Sequence, residues 1–322
     1  MKKVVKFGGS SLAGVEQFEK VADIIHADND RRFVVPSAPG KRNGSDSKVT
    51  DLLYQCYAMA EAEEDFETAL SAIRGRYEEI ISGLHLQLSL EDEFLTIAEN
   101  FRQKKGKHYA ASRGEYLNGI LLAAYLGFPF VDAAKIIRFD DEEEFEAEKT
   151  HRLVRDLFSD MEGAVIPGFY GAKDGSIVTF SRGGSDITGS IIARGIHADV
   201  YENWTDVSGF LVADPHIIRH PERIETITYL ELRELAYMGA SVLHEDAIFP
   251  VRKRGIPINI RNTNHPEDEG TWIVESTARK SKYTITGIAG RKDFCCINIE
   301  KDRMNSEVGF IRKVLQAFED QN

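Results

Sequence analysis

The first predicted strand ends at a pair of glycines, and this junction constrains the fold more than any other segment. Residues 4–7 form a short apolar run broken only by Lys6, Gly8-Gly9-Ser10-Ser11 follows at once, and apolar residues then recur at helical spacing over 15–25. Backbone amides collect at the start of a helix that follows such a turn. The segment therefore predicts a strand, a tight turn and a helix.

Strand and helix patterns continue to alternate along the chain, which predicts a mostly parallel sheet with helices on both faces. Between residues 50 and 105, apolar side chains at helical spacing, many glutamates and no proline indicate consecutive amphipathic helices. We expect an α/β domain over 1–280 with a helical insertion at about 50–105. Lys173-Asp174-Gly175 predicts a hairpin turn. Further strands are predicted at 33–35, 164–169, 176–180, 198–202, 257–261 and 271–275, and helices at 187–195, 229–238 and 243–254.

The tail has a different composition. A basic run at 278–282 precedes predicted strands at 284–290 and 294–299 and a predicted helix at 306–320. A segment of this size is too short to bury a stable core by itself. We expect residues 284–322 to dock on the main domain or to belong to a module that continues beyond them.

Composition excludes several classes of protein. The 322 residues carry 40 basic and 52 acidic side chains, a net charge of −12, so nucleic acid and anionic membranes are not expected partners. No apolar run approaches a membrane span, and the N-terminus lacks the apolar core of a signal peptide, so a cytoplasmic location is expected. Cys56, Cys295 and Cys296 do not have the spacing of a disulfide framework or of a zinc site.

Lys6 stands at the end of the first predicted strand. Open α/β sheets bind ligands beyond the carboxyl ends of their strands, where a lysine can act as a point charge on a phosphoryl group. The turn after it matches neither a P-loop nor a dinucleotide fingerprint. A solvated lysine before a tight turn is the alternative interpretation.

A second glycine turn, Ser181-Arg182-Gly183-Gly184-Ser185-Asp186, precedes a helix of small residues. Arg182 has the geometry to bind a carboxylate through two hydrogen bonds, and Ser185 is a further donor. Ser185 or Asp186 could equally cap the helix. Both roles remain open on spacing alone.

Acidic residues elsewhere have structural interpretations. Ser112 and Glu115 have the spacing of a capping box for a helix over 116–126, and spacing alone favours that role. The run Asp140-Asp141-Glu142-Glu143-Glu144 is expected to open a helix and face water rather than bind a metal ion. The segment from Thr205 to Asp214-Pro215 could contact a nucleotide or form plain turns. The histidines show no metal-ligand spacing.

Taken together and in this order, the two glycine turns and the segment Trp204-Thr205-Asp206-Val207 through Asp214-Pro215 resemble the amino-acid kinase family, and within it the aspartokinases. The resemblance spans nearly the whole chain. Residues 284–322 resemble the opening strand and helix of an ACT domain, a regulatory module that binds end-product amino acids. The part of that module beyond residue 322 is not in this sequence, which implies a truncated ACT domain.

The resemblance implies transfer of the ATP γ-phosphate to the β-carboxylate of L-aspartate, with Mg²⁺ on the phosphates, as the first step toward lysine, threonine and methionine. It also implies a homodimer and, in the parent protein, lysine or threonine as an effector. Lys6 and Asp186 would be catalytic. The implied substrate-binding residues are Ser37, Thr50, Glu115, Phe169, Arg182 and Ser185. The implied nucleotide-binding residues are Lys6, Gly8, Gly9, Ser10, Thr205, Asp206, Leu211 and Asp214. No protein metal ligands are implied.

The sequence departs from the family pattern on the nucleotide side. Ser241 stands where a lysine is frequent, and Glu245 where a proline is frequent. Leu211 and His216 replace a frequent tyrosine and arginine. The resemblance therefore defines the amino-acid pocket more securely than the nucleotide contacts.

Two alternatives stay open. One is a kinase of the same fold that acts on glutamate, acetylglutamate, carbamate or UMP. Arg182 and Glu115, which match the two charges of a free amino acid, and the ACT-like tail argue against UMP and carbamate. The other alternative is an amino-acid sensor without turnover, and the presence of Lys6 and Asp186 argues against it.

Overall fold

The computed structural model describes residues 1–181, 183–237, 247–277, 284–290, 297–302, 304 and 308–321. Strands and helices alternate over most of this length. In chain order the elements are β1 (Lys3–Phe7), α1 (Val15–His26), β2 (Arg31–Pro36), α2 (Val49–Glu61), α3 (Glu67–Gly83), α4 (Glu91–Arg102), α5 (Lys107–Leu126), α6 (Ala147–Phe158), β3 (Ala164–Val165), β4 (Tyr170–Lys173), β5 (Ser176–Thr179), α7 (Gly184–Gly195), β6 (Val200–Thr205), β7 (Thr226–Thr228), α8 (Tyr229–Tyr237), α9 (Phe249–Arg252), β8 (Ile258–Asn262), β9 (Thr271–Val274) and α10 (Phe310–Glu319).

The main sheet has seven strands in the order β3-β2-β1-β6-β8-β9-β7. All neighbours pair in parallel except β8 and β9, which are antiparallel. The predicted mostly parallel sheet is therefore confirmed. Strand β7 is not among the predicted strands, because a run of three residues has no measurable alternation.

Alternation along β1 divides the core between the two faces of the sheet. Val4 belongs to a cluster that packs beneath α7 and α9, whereas Val5 and Phe7 belong to a cluster beneath α1, α2 and α5. Successive strand residues point to opposite faces. Lys6 therefore shares the face of Val4, on which α7 lies.

The predicted helical block is confirmed as α2, α3 and α4, and α5 follows it. The predicted capping box is wrong. Ser112 and Glu115 lie inside α5, which begins at Lys107, and both side chains are buried. The spacing alone predicts a helix that starts at residue 116. The helix in fact includes the preceding residues from Lys107, many of which are small.

The acidic run does not open a helix. The Asp140 carboxylate accepts hydrogen bonds from the backbone amides of Glu142 (3.1 Å) and Glu144 (2.8 Å), which forms a turn, and α6 begins only at Ala147. Aspartate competes well for nearby amides, which favours turns over helix starts of this kind. The run is nevertheless exposed, as expected.

The hairpin turn at residues 173–175 is confirmed. Strands β4 and β5 pair antiparallel, and Asp174 and Gly175 have φ of 45° and 85°, the left-handed pair that a tight two-residue turn requires. The strand predicted over 164–169 is shorter than expected and comprises only β3. The chain leaves the sheet after Val165 and passes beside α7.

By contacts, the chain divides into Met1–Ala289 and Gly290–Asn322. The strand predicted over 284–290 is wrong, since these residues form no strand. Instead Thr286 donates to Glu231, and the Ile288 amide donates to Val212, so residues up to 289 pack on the first unit. In the second unit, α10 occupies most of the predicted helix.

Some predicted features lie outside the described residues. These are Arg182, Ser241, Glu245, the first four residues of the helix predicted over 243–254, Cys295 and Cys296, and half of the strand predicted over 294–299. Cys56 is buried and free of any disulfide. Among the described helices, none has the length and apolar character needed to cross a membrane.

Candidate active site

The strand order reverses at β1, which lies between β2 on one side and β6 on the other. Lys6 of β1 pairs in register with Asn203 of β6; Lys6 lies one residue before the end of β1, and Asn203 lies two residues before the end of β6. Such switch points form the ligand crevice of open α/β sheets. The candidate site is therefore built around Lys6.

Two buried polar side chains, those of Lys6 and Asn203, meet the partly buried Asp186 at this point. Lys6 Nζ lies 2.6 Å from Asp186 Oδ1 and 3.4 Å from Asn203 Oδ1. Asn203 Nδ2 also donates to Asp186 Oδ1, at 2.9 Å. Lys6 is 8% exposed and Asn203 is 3% exposed. The carboxylate and the amide together fix the ammonium group at the crevice, which the solvated-lysine interpretation does not account for.

Asn203 is a residue that the sequence analysis missed. It falls just after the strand predicted over 198–202, in a predicted loop whose spacing does not mark the amide as part of a site. The one available indication was a buried amide aligned with Lys6 in the neighbouring strand, which requires the strand order to be known.

Asp186 is positioned by the close approach of α7 to the segment that follows β3. A Cβ atom on Gly184 would lie 2.2 Å from Phe169 Cδ2, so only glycine fits there. The residue that caps α7 is Gly183, with φ of 58°, and no side chain caps the helix. The capping interpretation of Ser185 and Asp186 is therefore wrong, and Asp186 is available for Lys6.

The first glycine turn brings two loops together. The Gly40 amide donates to Gly9 O at 2.8 Å, and a Cβ on Gly9 would lie 2.8 Å from Ala38 O. The Gly8 amide donates to Trp204 O and so is engaged in the sheet. The amides that open the turn are those of Gly9 and Ser10, at the start of a 3₁₀ turn, where helical amides have no partner within the turn.

Glu115 is buried in α5 beside the loop that follows β2. It is 6% exposed, and its Oε2 atom has no hydrogen-bond partner among the described residues. Burial raises the pKa of Glu115 to about 8, against an opposing effect of the Ala38 backbone amide. A positive charge that arrives beside this carboxyl group would favour its ionised form. The group is therefore suited to bind an ammonium group.

The backbone of Ser37 links the end of β1 to α5. The Ser37 amide donates to Phe7 O at 3.0 Å, and Asn118 Nδ2, one turn beyond Glu115, donates to Ser37 O at 2.6 Å. The pocket residues predicted on β2 and α5 are thus brought together with the end of β1.

Phe169 and Thr50 complete the predicted amino-acid side. Phe169 has φ of 80°, a strained conformation for a bulky residue, and its amide donates to Thr188 Oγ1 at 3.0 Å. Ser185, 8% exposed, lies on α7 next to the same segment. Thr50 is half-buried in the first turn of α2, which is joined to Pro39 O by the Val49 amide.

The predicted nucleotide residues form an open surface beyond β6. Thr205 is partly buried at the strand end, whereas Asp206, Leu211 and Asp214 are exposed. The Asp214 carboxylate accepts from the backbone and the ring of His216, at 2.8 and 2.9 Å, and these hydrogen bonds lower its pKa. The residues predicted to bind the amino acid are thus mostly buried, whereas those predicted to bind the nucleotide are mostly exposed.

The described residues do not provide a complete set of protein ligands for a metal ion at this site. Within the described residues, no group of three His, Cys, Asp or Glu side chains could hold one. Asp186 is already paired with Lys6. This donor set fits an ion carried mainly by phosphate oxygens and water.

Comparison with known proteins identifies the family. The sequence profile of the amino acid kinase family matches residues 1–262. "Aspartokinase 3" of Bacillus subtilis is 40% identical over 99% of this chain and 73% of its own length. The crystal structure of Clostridium acetobutylicum aspartate kinase is 49% identical with a TM-score of 0.90, over 99% of this chain and 73% of that one.

A more distant structure carries ligands. E. coli aspartokinase III in complex with aspartate and ADP is 29% identical with a TM-score of 0.75, over 86% of this chain and 65% of that one. The same enzyme has also been solved with lysine and aspartate. The chain belongs to the amino acid kinase family. Within that family its relatives are aspartokinases, and it is a phosphotransferase.

Proposed function

We propose that this chain transfers the γ-phosphate of ATP to the β-carboxylate of L-aspartate, giving 4-phospho-L-aspartate and ADP. The observation that carries the proposal is the buried ammonium of Lys6, fixed by Asp186 and Asn203 at the switch point of the sheet. Its support from relatives is the aspartate and ADP found with E. coli aspartokinase III.

The chemistry asks the protein mainly for positioning and charge neutralisation. An oxygen of the β-carboxylate attacks the γ-phosphorus, and the bond to the β,γ-bridging oxygen breaks, so that ADP leaves with the electron pair. Lys6 would stabilise the negative charge on the oxygens of the transferring group. Asp186 would hold the lysine in place, because a buried ammonium without a partner is costly.

Aspartate recognition is assigned to groups of opposite charge. Glu115 would accept hydrogen bonds from the α-ammonium group and become ionised as it does so, since its pKa is raised in the free chain. Arg182 would hold the α-carboxylate through two hydrogen bonds. Ser37, Thr50, Phe169 and Ser185 would complete the pocket.

The nucleotide is assigned to the open side of the crevice. Gly8, Gly9 and Ser10 would border the phosphates, and the amides of Gly9 and Ser10 would donate to them. Thr205, Asp206, Leu211 and Asp214 would contact the rest of the nucleotide. Mg²⁺ would neutralise the β- and γ-phosphates and be held largely by phosphate oxygens and water.

The biological setting belongs to the same proposal. The reaction would be the first step toward lysine, threonine and methionine, in the cytoplasm and in a homodimer. Residues 284–322 would begin an ACT-like regulatory domain that responds to lysine or threonine in the parent protein. The lysine complex of E. coli aspartokinase III is consistent with an amino-acid effector.

Trapping of the acyl phosphate with hydroxylamine tests the proposal directly. ATP-dependent hydroxamate formation is measured with aspartate, glutamate, acetylglutamate and no acceptor. We expect product with aspartate alone. Product with another acceptor would contradict the pocket assignment, and aspartate binding without product would favour the sensor.

A further inference from the structure

A cavity of about 260 Å³ lies at the C-terminal end of α7, away from the start of that helix. It is lined mostly by side chains that carry or can carry positive charge. The lining residues are Glu148, His151, Arg152, Arg155, Arg194, Gly195, His197 and Arg254. Four arginines around a small cavity are unusual in a chain whose net charge is −12.

These charges are poorly compensated. Within the described part of the chain, neither Arg152 nor Arg254 has a carboxylate within ion-pair distance. The Arg194 guanidinium lies 4.0 Å from Glu148, whose side chain is 93% exposed. Arg155 pairs only with its exposed neighbour Asp156, at 3.5 Å. Positive charges that line one cavity repel one another, so an anion between them would relieve the repulsion.

His151 is a partly buried residue of the cavity lining. Both of its ring nitrogens are buried and have no hydrogen-bond partner among the described residues. Its edge faces the Phe145 ring. Burial, and then Arg194, Arg254 and Lys253, lower the pKa of His151 to about 4. A buried polar side chain without a partner needs a ligand or water to satisfy it.

We propose that this cavity binds a small phosphate anion, either orthophosphate or pyrophosphate. Arginine guanidinium groups present paired donors that match phosphate oxygens, and histidine adds a further donor when it is protonated. The volume is below the roughly 300–1,000 Å³ of sites for larger organic ligands. The cavity therefore suits the bare anion rather than a whole nucleotide.

The proposed site is separate from the kinase site. Arg194 and Gly195 end α7, whereas Asp186 lies in its first turn. Eight residues of helix separate Asp186 from Arg194, a rise of about 12 Å. Gly195 packs tightly against α6, since a Cβ on it would lie 2.3 Å from Val154 Cγ1. The two sites thus stand at opposite ends of one helix.

The test compares two double variants that remove equal charge. Arg152→Gln with Arg254→Gln removes two cavity arginines. Lys135→Gln with Lys149→Gln removes two exposed lysines that do not line the cavity. Orthophosphate and pyrophosphate are titrated separately by calorimetry at constant ionic strength, with chloride as a charge-only control. Either variant leaves anion binding at the kinase site unchanged, so the difference between them reports on the cavity.

We expect the cavity variant to bind the preferred anion at least tenfold more weakly than the unmodified chain, and the lysine variant to bind it equally well. The anion, orthophosphate or pyrophosphate, whose binding differs between the two variants is the preferred ligand. Equal binding by the two variants, or a chloride effect as large as that of phosphate, would overturn the proposal.

The His151 ring provides a second, local measurement. Its NMR signals, assigned with His151→Gln, are followed against pH with and without pyrophosphate or orthophosphate. An anion beside the ring favours the protonated form, so we expect the pKa of His151 to rise by at least one unit. An unchanged His151 titration at saturating anion would also overturn the proposal, and it does not depend on whether the arginine variants fold.

Discussion

The two sides of the crevice are built differently. On the side proposed to bind aspartate, Glu115 is less than a tenth exposed. Lys6 and Asn203, at the proposed point of phosphoryl transfer, are equally buried, and contacts within the chain already orient both of them. On the side proposed to bind the nucleotide, Asp206 and Asp214 are exposed. Charges inside a protein interact more strongly than charges in water. The amino-acid side should therefore dominate both rate and specificity.

This contrast predicts the order of mutational effects. Substitutions at buried, oriented charges should change turnover or aspartate affinity by orders of magnitude. Substitutions at exposed carboxylates on the nucleotide side should change ATP affinity only slightly, because water and ions screen such groups. Measured effects of similar size at buried and exposed groups would contradict this expected difference.

The largest effect is expected for Lys6→Ala. It removes the positive charge at the transferring phosphate, and kcat should fall by roughly 10²- to 10⁴-fold, about 3 to 5 kcal/mol. Steady-state hydroxamate assays measure this, with Lys149→Ala on the exposed face of α6 as the control. Turnover equal to that of the unmodified chain would refute the catalytic role of Lys6.

Glu115→Gln should act on aspartate rather than on ATP. The neutral amide cannot supply the negative charge that the α-ammonium group requires, so the KM for aspartate should rise roughly 10- to 100-fold while the KM for ATP stays constant. Exposed Glu64→Gln is the matched control. If the KM for ATP rose instead, Glu115 would belong to the nucleotide side.

The same variant has a consequence for stability. Because burial raises the pKa of Glu115 from 4.5 to about 8, the folded chain holds more protons than the unfolded chain between these values. Stability must then fall as pH rises through this range. Relative to Glu115→Gln, the unmodified chain should lose urea resistance from pH 5 to pH 8. Parallel pH profiles for the two proteins would show that Glu115 is ionised when folded.

The sequence was a good guide wherever local chemistry determined structure. The glycine turn after β1, the helical block and the hairpin at 173–175 were all predicted, because turn residues and apolar periodicity act over short distances. The boundaries of α5 were not. Ser112 and Glu115 match a capping box, but packing of the helix against the loop after β2 overrides that local preference.

Long-range partners could not be read from the sequence. Lys6 and Asp186 were assigned by resemblance, yet their 2.6 Å contact depends on α7 crossing the end of β1. Asn203 was missed because its role exists only once β1 and β6 are neighbours in register. The unpaired state of Glu115 depends likewise on burial by elements far apart in sequence.

Asn203→Leu should have an intermediate effect. Leucine fills a similar volume but removes the hydrogen bond to Asp186 and the contact to Lys6. We expect kcat to fall about tenfold, about 1.4 kcal/mol, because the ammonium is less well oriented. The KM for aspartate should change less than twofold. A proportional loss of active protein, measured by active-site titration, would indicate a structural role instead of a positioning one.

The smallest effect is expected for Asp206→Asn, on the exposed side of the comparison. Among the hydrogen bonds of the described residues, the carboxylate takes part only in the one from the neighbouring Thr205 hydroxyl, at 3.2 Å, so its removal should leave the fold unchanged. An exposed group that contributes one screened contact should alter the KM for ATP by roughly two- to fivefold, with kcat and the KM for aspartate constant. A loss approaching that of Lys6→Ala would mean that ATP binding buries Asp206. The nucleotide side would then become as organised as the amino-acid side during turnover, and the contrast would hold for the free chain alone.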